Sequence, residues 1–86
     1  MNIQKKFMLQ EFIGKDVHAA RENIQGKIID ETKSAFTLKT QKGEKKILKN
    51  GNTFTFQPEG ICLKGDDILI RPEDRIKITV KQWKTK

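Results

Sequence analysis

A chain of 86 residues with a net charge of +7 and a pI near 9.7 is one small basic domain that calls for a polyanionic partner. Hydrophobic residues (35%) and charged residues (34%) are nearly balanced, but the apolar ones fall in patterned runs, which excludes a wholly disordered chain. One Cys and one His exclude an internal disulfide and a four-ligand structural metal site, and no apolar run is long enough to cross a bilayer.

In chain order, the segment 1–14 lacks Pro and has no Gly before Gly14. Its apolar residues Ile3, Phe7, Met8, Leu9, Phe12 and Ile13 recur near helical spacing, and Gly14 is a stop signal. The spacing predicts a short N-terminal helix, which is marginal alone and needs something to pack on. Either a partner or the domain's own core can supply that surface.

Beyond Gly14 the pattern changes to short runs rich in β-branched residues, separated by turn signals. Strands are expected over Asp16–Ala20, Ile24–Thr32, Ala35–Thr40, Glu44–Leu48, Thr53–Gln57 and Ile61–Lys64. Gly26 inside the second run suggests a bulge or bend. Asn50-Gly51 is a tight-turn signal, and Phe54 and Phe56 share one face as core. Ile76, Ile78 and Val80 alternate with Lys77, Thr79 and Lys81 as a last strand. So many short runs with tight turns predict an all-β fold. The expected form is a small Sm-like or SH3-like antiparallel β-barrel over 15–80, with the helical segment 1–14 and a basic tail 81–86. An OB-fold is the runner-up architecture.

No catalytic constellation is present. His18 lies in a strand-like run and reads as structural, and the six glycines are scattered among turns, so they form no phosphate loop. The acidic pairs Asp30-Glu31, Asp66-Asp67 and Glu73-Asp74 read as turn-forming or base-orienting carboxylates before they read as a Mg²⁺ site. The basic residues carry more. Lys27 and Lys33 flank a strand, Arg71 and Arg75 bracket a turn, and Lys45, Lys46 and Lys49 cluster on a hairpin. Such cations neutralise phosphates, and Arg adds bidentate geometry. With no interleaved aromatics, the partner is expected to be a folded RNA met through shape and phosphates, not a stacked single strand.

Two charged segments give this pattern a family. One runs Ile28-Ile29-Asp30-Glu31-Thr32-Lys33 and the other Arg71-Pro72-Glu73-Asp74-Arg75-Ile76-Lys77. With Phe12-Ile13-Gly14, Gly43, Lys49, Phe54 and Gly65, they resemble the archaeal protein component 1 family of ribonuclease P, whose eukaryotic counterpart also serves in RNase MRP. Asn23 stands where family members often have Gly before the Ile, and the loop Arg21 to Gln25 is shorter than usual.

The resemblance implies an Sm-like barrel acting as a non-catalytic RNA-binding subunit of ribonuclease P. The holoenzyme is an RNA-based endoribonuclease that removes the 5′ leader from precursor tRNA, with Mg²⁺ on the RNA and no cofactor on the protein. The implied partners are the RNase P RNA, chiefly its specificity domain, the zinc-ribbon protein subunit, and precursor tRNA through the holoenzyme. The expected RNA contacts are Lys27, Lys33, Lys49, Arg71, Arg75 and Lys77, on two edges of one barrel face. The expected partner surface is Phe7, Leu9, Phe12 and Ile13. The free protein is expected to be a cytoplasmic monomer. A general Sm-like or ribosome-associated RNA-binding barrel is the alternative, and an SH3-like peptide-binding module a third, weakened by one Trp and no Tyr.

Overall fold

The computed structural model describes Phe7, Met8 and residues 10–74. Its strands are β1 (Asp16–Ala19), β2 (Ile24–Glu31), β3 (Ala35–Thr40), β4 (Gly43–Leu48), β5 (Thr53–Gln57) and β6 (Ile61–Lys64), and a 3-10 turn follows at Gly65–Ile68. They form one antiparallel sheet in the order β4-β3-β2-β1-β5-β6. The first four strands are the expected meander. The fifth departs from it: instead of pairing with β4, it crosses back to the free side of β1. The expected last strand at Ile76, Ile78 and Val80, the tail and residues 1–6 and 9 of the expected N-terminal helix lie outside the described residues; Phe7 and Met8 have helical backbone, but residues 10–14 form a bend and a turn, so the helix does not run to Gly14 as the spacing predicted.

Alternation sets the two faces of each strand. Val17, Ile28, Phe36, Leu38, Ile47, Phe54, Phe56 and Leu63, drawn from all six strands, are buried in a single cluster, so the sheet curls around its own inner face into a barrel-like shell. Phe7 and Phe12 complete that cluster. The Phe12 ring lies tilted 4.8 Å from Phe56 and edge-on 6.0 Å from Phe36, and Phe7 lies 4.9 Å from Phe56. Both were expected on a partner surface, but at 3% and 0% exposure they belong to the domain's own core. The reason is energetic: burying a Phe contributes about 1.5–3 kcal/mol, and a small domain has few other apolar groups to fill its interior.

The bulge lies three residues beyond the glycine that suggested it. Lys27 pairs with Lys39 and Ile28 with Leu38, but Asp30, not Ile29, is next to pair, with Thr37. One extra residue reverses the alternation, so Asp30 stays outside and Glu31 turns inside opposite Phe36. Gly26 serves close approach instead, since a Cβ there would sit 2.7 Å from the Lys39 carbonyl oxygen.

The crossover from β4 to β5 is a tight turn in which Asn52 N–H donates to the Lys49 carbonyl at 3.1 Å and Gly51 takes a φ of 69°. Asn52, 5% exposed, bonds through both ends of its amide. Its Oδ1 accepts from the Arg21 and Thr53 N–H groups at 3.0 and 2.9 Å. Its Nδ2 donates to Glu22 Oε1 at 2.7 Å and to the Leu48 carbonyl at 3.2 Å. The β1–β2 turn is thereby tied to the crossover. At the end of that turn Asn23 has a φ of 53°, a left-handed conformation that Asn tolerates and Gly would adopt without cost, which accounts for the exchange noted in the sequence. His18 serves the same turn, its Nε2 donating to Asn23 Oδ1 at 2.8 Å.

The amide orientation makes a prediction. Asn52→Asp replaces two donated bonds with a carboxylate facing Glu22 and a carbonyl, and should cost about 1–3 kcal/mol. Urea unfolding measures it, and an unchanged midpoint at neutral pH would contradict the assignment.

Candidate nucleic-acid interface

The expected RNA contacts divide into three environments. Lys49 is the first, and it corrects the sequence reading. Its side chain is fully buried, so it makes no contact with RNA in the folded domain. Its Nζ donates to Glu31 Oε2 at 2.9 Å, to the Thr32 carbonyl at 2.8 Å and to the Ile68 carbonyl at 2.9 Å, with the Ile70 carbonyl at 3.5 Å. Three short bonds match the three protons of an ammonium. The Phe36 ring lies beneath the same nitrogen, its centroid 5.0 Å away. The Lys49 backbone N–H also donates to Ser34 O at 2.8 Å, so one residue holds both flanks of the β2–β3 turn. Gly65 passes so close that a Cβ there would overlap the Lys49 carbonyl, and only Gly fits.

The second environment surrounds that buried ammonium. Lys33 stands exposed at the β2–β3 turn whose neighbouring carbonyls Lys49 holds. Arg71 follows Ile70, whose carbonyl faces the same Nζ. The two charged segments that carry the family resemblance are therefore joined through Lys49. Arg71 is exposed and oriented: its Nε and Nη2 donate to Asp74 Oδ2 at 2.8 and 2.7 Å, and Glu73 Oε1 lies 3.8 Å away. The hydrogen bond and charge of Asp74, helped by Glu73, raise the Arg71 pKa above its ordinary value. Asp74 thus orients a base, as the sequence suggested. Arg75 and Lys77 lie outside the described residues.

The third environment is at the other end of β3. Lys27 and Lys39 are directly opposite on the outer face, with Asp16 beyond Lys27 and Glu44 beyond Lys39. An open groove beside them is lined by Lys27, Lys39, Lys42 and Lys45, with Gln25 and the single acid Asp16. Sequence reasoning placed Lys27 together with Lys33 and Arg71, whereas the strand pairing sets it with these other lysines. It named neither Lys39 nor Lys42. The register that unites them depends on the Ile29 bulge and on the two-residue turn after Thr40, neither of which alternation alone predicts.

On the expected partner surface, Ile13 is 44% exposed and Leu9 lies outside the described residues, while Phe7 and Phe12 are internal. All five Phe residues are buried, so no Phe is presented for base stacking. The acidic pairs are otherwise engaged: Glu31 with Lys49, Asp66 Oδ1 accepting from Gly51 N–H at 2.9 Å, and Asp74 with Arg71. Among the described residues no group of three His, Cys, Asp or Glu is placed to hold a metal, and no helix is long and apolar enough to cross a membrane.

Comparison with known proteins agrees with this frame. The family model described as ribonuclease P/MRP, subunit p29, matches residues 5–78. A protein named ribonuclease P protein component 1 from Methanosphaera stadtmanae is 42% identical over 76 residues, covering 78% of this chain and 82% of that one. A protein of the same name from Archaeoglobus fulgidus is 45% identical over 56 residues, 63% of this chain but only 55% of the relative's length. The solved structure of Mth11, described as a homologue of human RNase P protein Rpp29, superposes with a TM-score of 0.53 at 31% identity, covering 78% of this chain and 99% of that chain.

The internal placement of Lys49 has a measurable consequence. Lys49→Met leaves Glu31 buried without its ammonium and should cost about 3–5 kcal/mol in urea unfolding. Glu31→Leu/Lys49→Met, which removes both charges, should be more stable than the single variant. A surface lysine would give a midpoint near wild type in both.

Proposed function

The chain belongs to the ribonuclease P/MRP subunit p29 family, and on that premise we propose how it serves the RNA enzyme of which that family is a protein subunit. The family sets its class: an accessory protein of ribonuclease P, an RNA-based endoribonuclease of tRNA processing. Our reading is that the protein supplies phosphate neutralisation and stabilises the RNase P RNA, chiefly its specificity domain, while 5′-leader cleavage of precursor tRNA belongs to the RNA and its Mg²⁺.

The observation that carries this reading is the pair of exposed cations, Lys33 and Arg71, mounted on two segments that a single buried ammonium fixes together. Arg71 is held in position by carboxylates yet has most of its side chain open to solvent, at 62% exposure. An oriented guanidinium can meet a phosphate oxygen bidentately, which a free lysine cannot do. Arg75 and Lys77 extend the same basic run in sequence. A domain whose five Phe side chains serve its core, on a chain with a +7 excess, suits a folded RNA recognised by its backbone.

We assign the zinc-ribbon subunit of the same enzyme as the protein partner, with Ile13 and Leu9 as the contact region. The Sm-like form of the barrel, a monomeric free state and a cytoplasmic location complete the reading.

Reconstitution tests it. Adding this protein to the RNA and the remaining subunits should raise precursor-tRNA cleavage or lower its Mg²⁺ requirement, and no change in either would refute the role. Lys33→Gln/Arg71→Gln should leave the unfolding midpoint unchanged. The same variant should reduce the slope of log K against log salt by about 1.4–1.8, from roughly 0.7–0.9 per phosphate contact.

A further inference from the structure

We infer that the lysine-lined groove between β2 and the β3–β4 turn is a second RNA site, separate from Lys33 and Arg71, that takes the phosphate backbone of a folded RNA. The inference rests on the RNA-binding reading above and assigns to it residues that reading does not use.

The groove is built by strand register. Lys27 and Lys39 face each other across β2 and β3, at the separation of directly opposed residues, about 4.5–5.5 Å between Cα atoms. Like charges opposed in this way destabilise a sheet. Asp16 opposes Lys27 and Glu44 opposes Lys39 on their other sides and offset part of that repulsion, but neither lysine has an ion-pair partner within 4.0 Å among the described residues. Lys42 and Lys45 add two more cations to the same lining. Lys45, exposed on β4 opposite Leu38, lines the groove together with Lys27 and Lys39, which stand on the outer face. The four therefore come from β2, β3, β4 and the β3–β4 turn instead of sharing one strand.

The turn that carries Lys42 is braced. Thr40 Oγ1 donates to the Gly43 carbonyl at 2.7 Å and accepts from Lys42 N–H at 3.1 Å, and Gly43 takes a φ of 107°. Backbone position is thus fixed before any ligand arrives, which lowers the ordering cost of binding. Gln25 and Gln41 add amide donors for phosphate or ribose oxygens, and no aromatic ring lines the groove. Four ammonium groups, the three amides of Asn23, Gln25 and Gln41, a single carboxylate and no stacking surface describe a site for successive phosphates and not for a base.

β3 runs from Ala35 beside the Lys33 turn to Thr40 at the groove, so the two sites stand at opposite ends of one strand. A span of that kind, roughly 20 Å at 3.3 Å per residue, lets the domain bridge two stretches of one folded RNA.

The test uses the full chain and a transcript of its cognate RNase P RNA. Lys39→Gln/Lys42→Gln/Lys45→Gln should lower the salt slope by about 2–3, with the unfolding midpoint retained. Asp16→Asn, which removes the groove's one acid, should tighten binding several-fold. Adding the triple change to Lys33→Gln/Arg71→Gln should reduce the slope further, as two separate sites require. A wild-type slope in the folded triple variant, or no gain from Asp16→Asn, overturns the groove as an RNA site. A wild-type chain that fails to bind the transcript overturns the RNA-binding reading, and this site with it.

Discussion

The fold is organised around one ammonium group. Lys49 leaves the end of β4, enters the interior and bonds to the end of β2, to the turn beyond it and to the segment after β6. Lys49 follows β4 and the segment it reaches follows β6, the two edges of the sheet order, which no strand pairing joins among the described residues. A hydrocarbon side chain could fill the space but could not satisfy the carbonyls of Thr32 and Ile68, which would then be buried without donors. A buried charge is costly in its own right, so the benefit lies in geometry: the ammonium fixes where three chain segments meet. Its dependence on Glu31 makes the bulge at Ile29 essential as well, because without that extra residue the carboxylate would point to solvent.

The proposed RNA contact depends on the same geometry. The segments that Lys49 holds are the ones that display Lys33 and Arg71. A surface cation on a loose loop must be ordered when it meets a phosphate, and that ordering subtracts from affinity. Here the backbone on which each stands is already placed. The acids follow a similar division. Glu31 works inside, Asp74 orients a guanidinium at the surface, and Asp66 caps the crossover turn. Among the described residues no three of His, Cys, Asp or Glu are grouped to hold a metal.

Much of this was legible in the sequence, for definite reasons. Two-residue alternation marked Phe54 and Phe56 as core, and Gly and Asn marked the turns. The two charged segments carried the family. What misled was charge taken as a proxy for exposure. Lys49 sits two residues past Ile47 in a run of basic residues, and nothing local distinguishes it from Lys45 or Lys46; its partner Glu31 is 18 positions away and reaches it only because of a bulge. Phe7 and Phe12 misled in the opposite sense. An amphipathic segment fits a foreign surface or its own core equally well, and only the folded packing, which puts Phe7 and Phe12 in one cluster with the strands, decides between them. The lysine groove was hidden because its members come from β2, β3 and β4 and meet by register alone.

Interior and exterior lysines therefore answer different physical demands in one small domain. The interior one is surrounded by oxygen acceptors, and any RNA would have to unfold the protein to reach it. The exterior ones are short of acceptors: Lys27 and Lys39 repel each other across a strand pair and have no carboxylate in ion-pair range among the described residues. Asp16 and Glu44 flank the two lysines across the neighbouring strands, but the central pair still sets like charges opposite each other, where an opposite charge would stabilise. Retaining the repulsion costs a few tenths of a kcal/mol in the free domain. An RNA backbone in the groove would relieve it on binding, so the same lysines that weaken the free sheet would strengthen the complex.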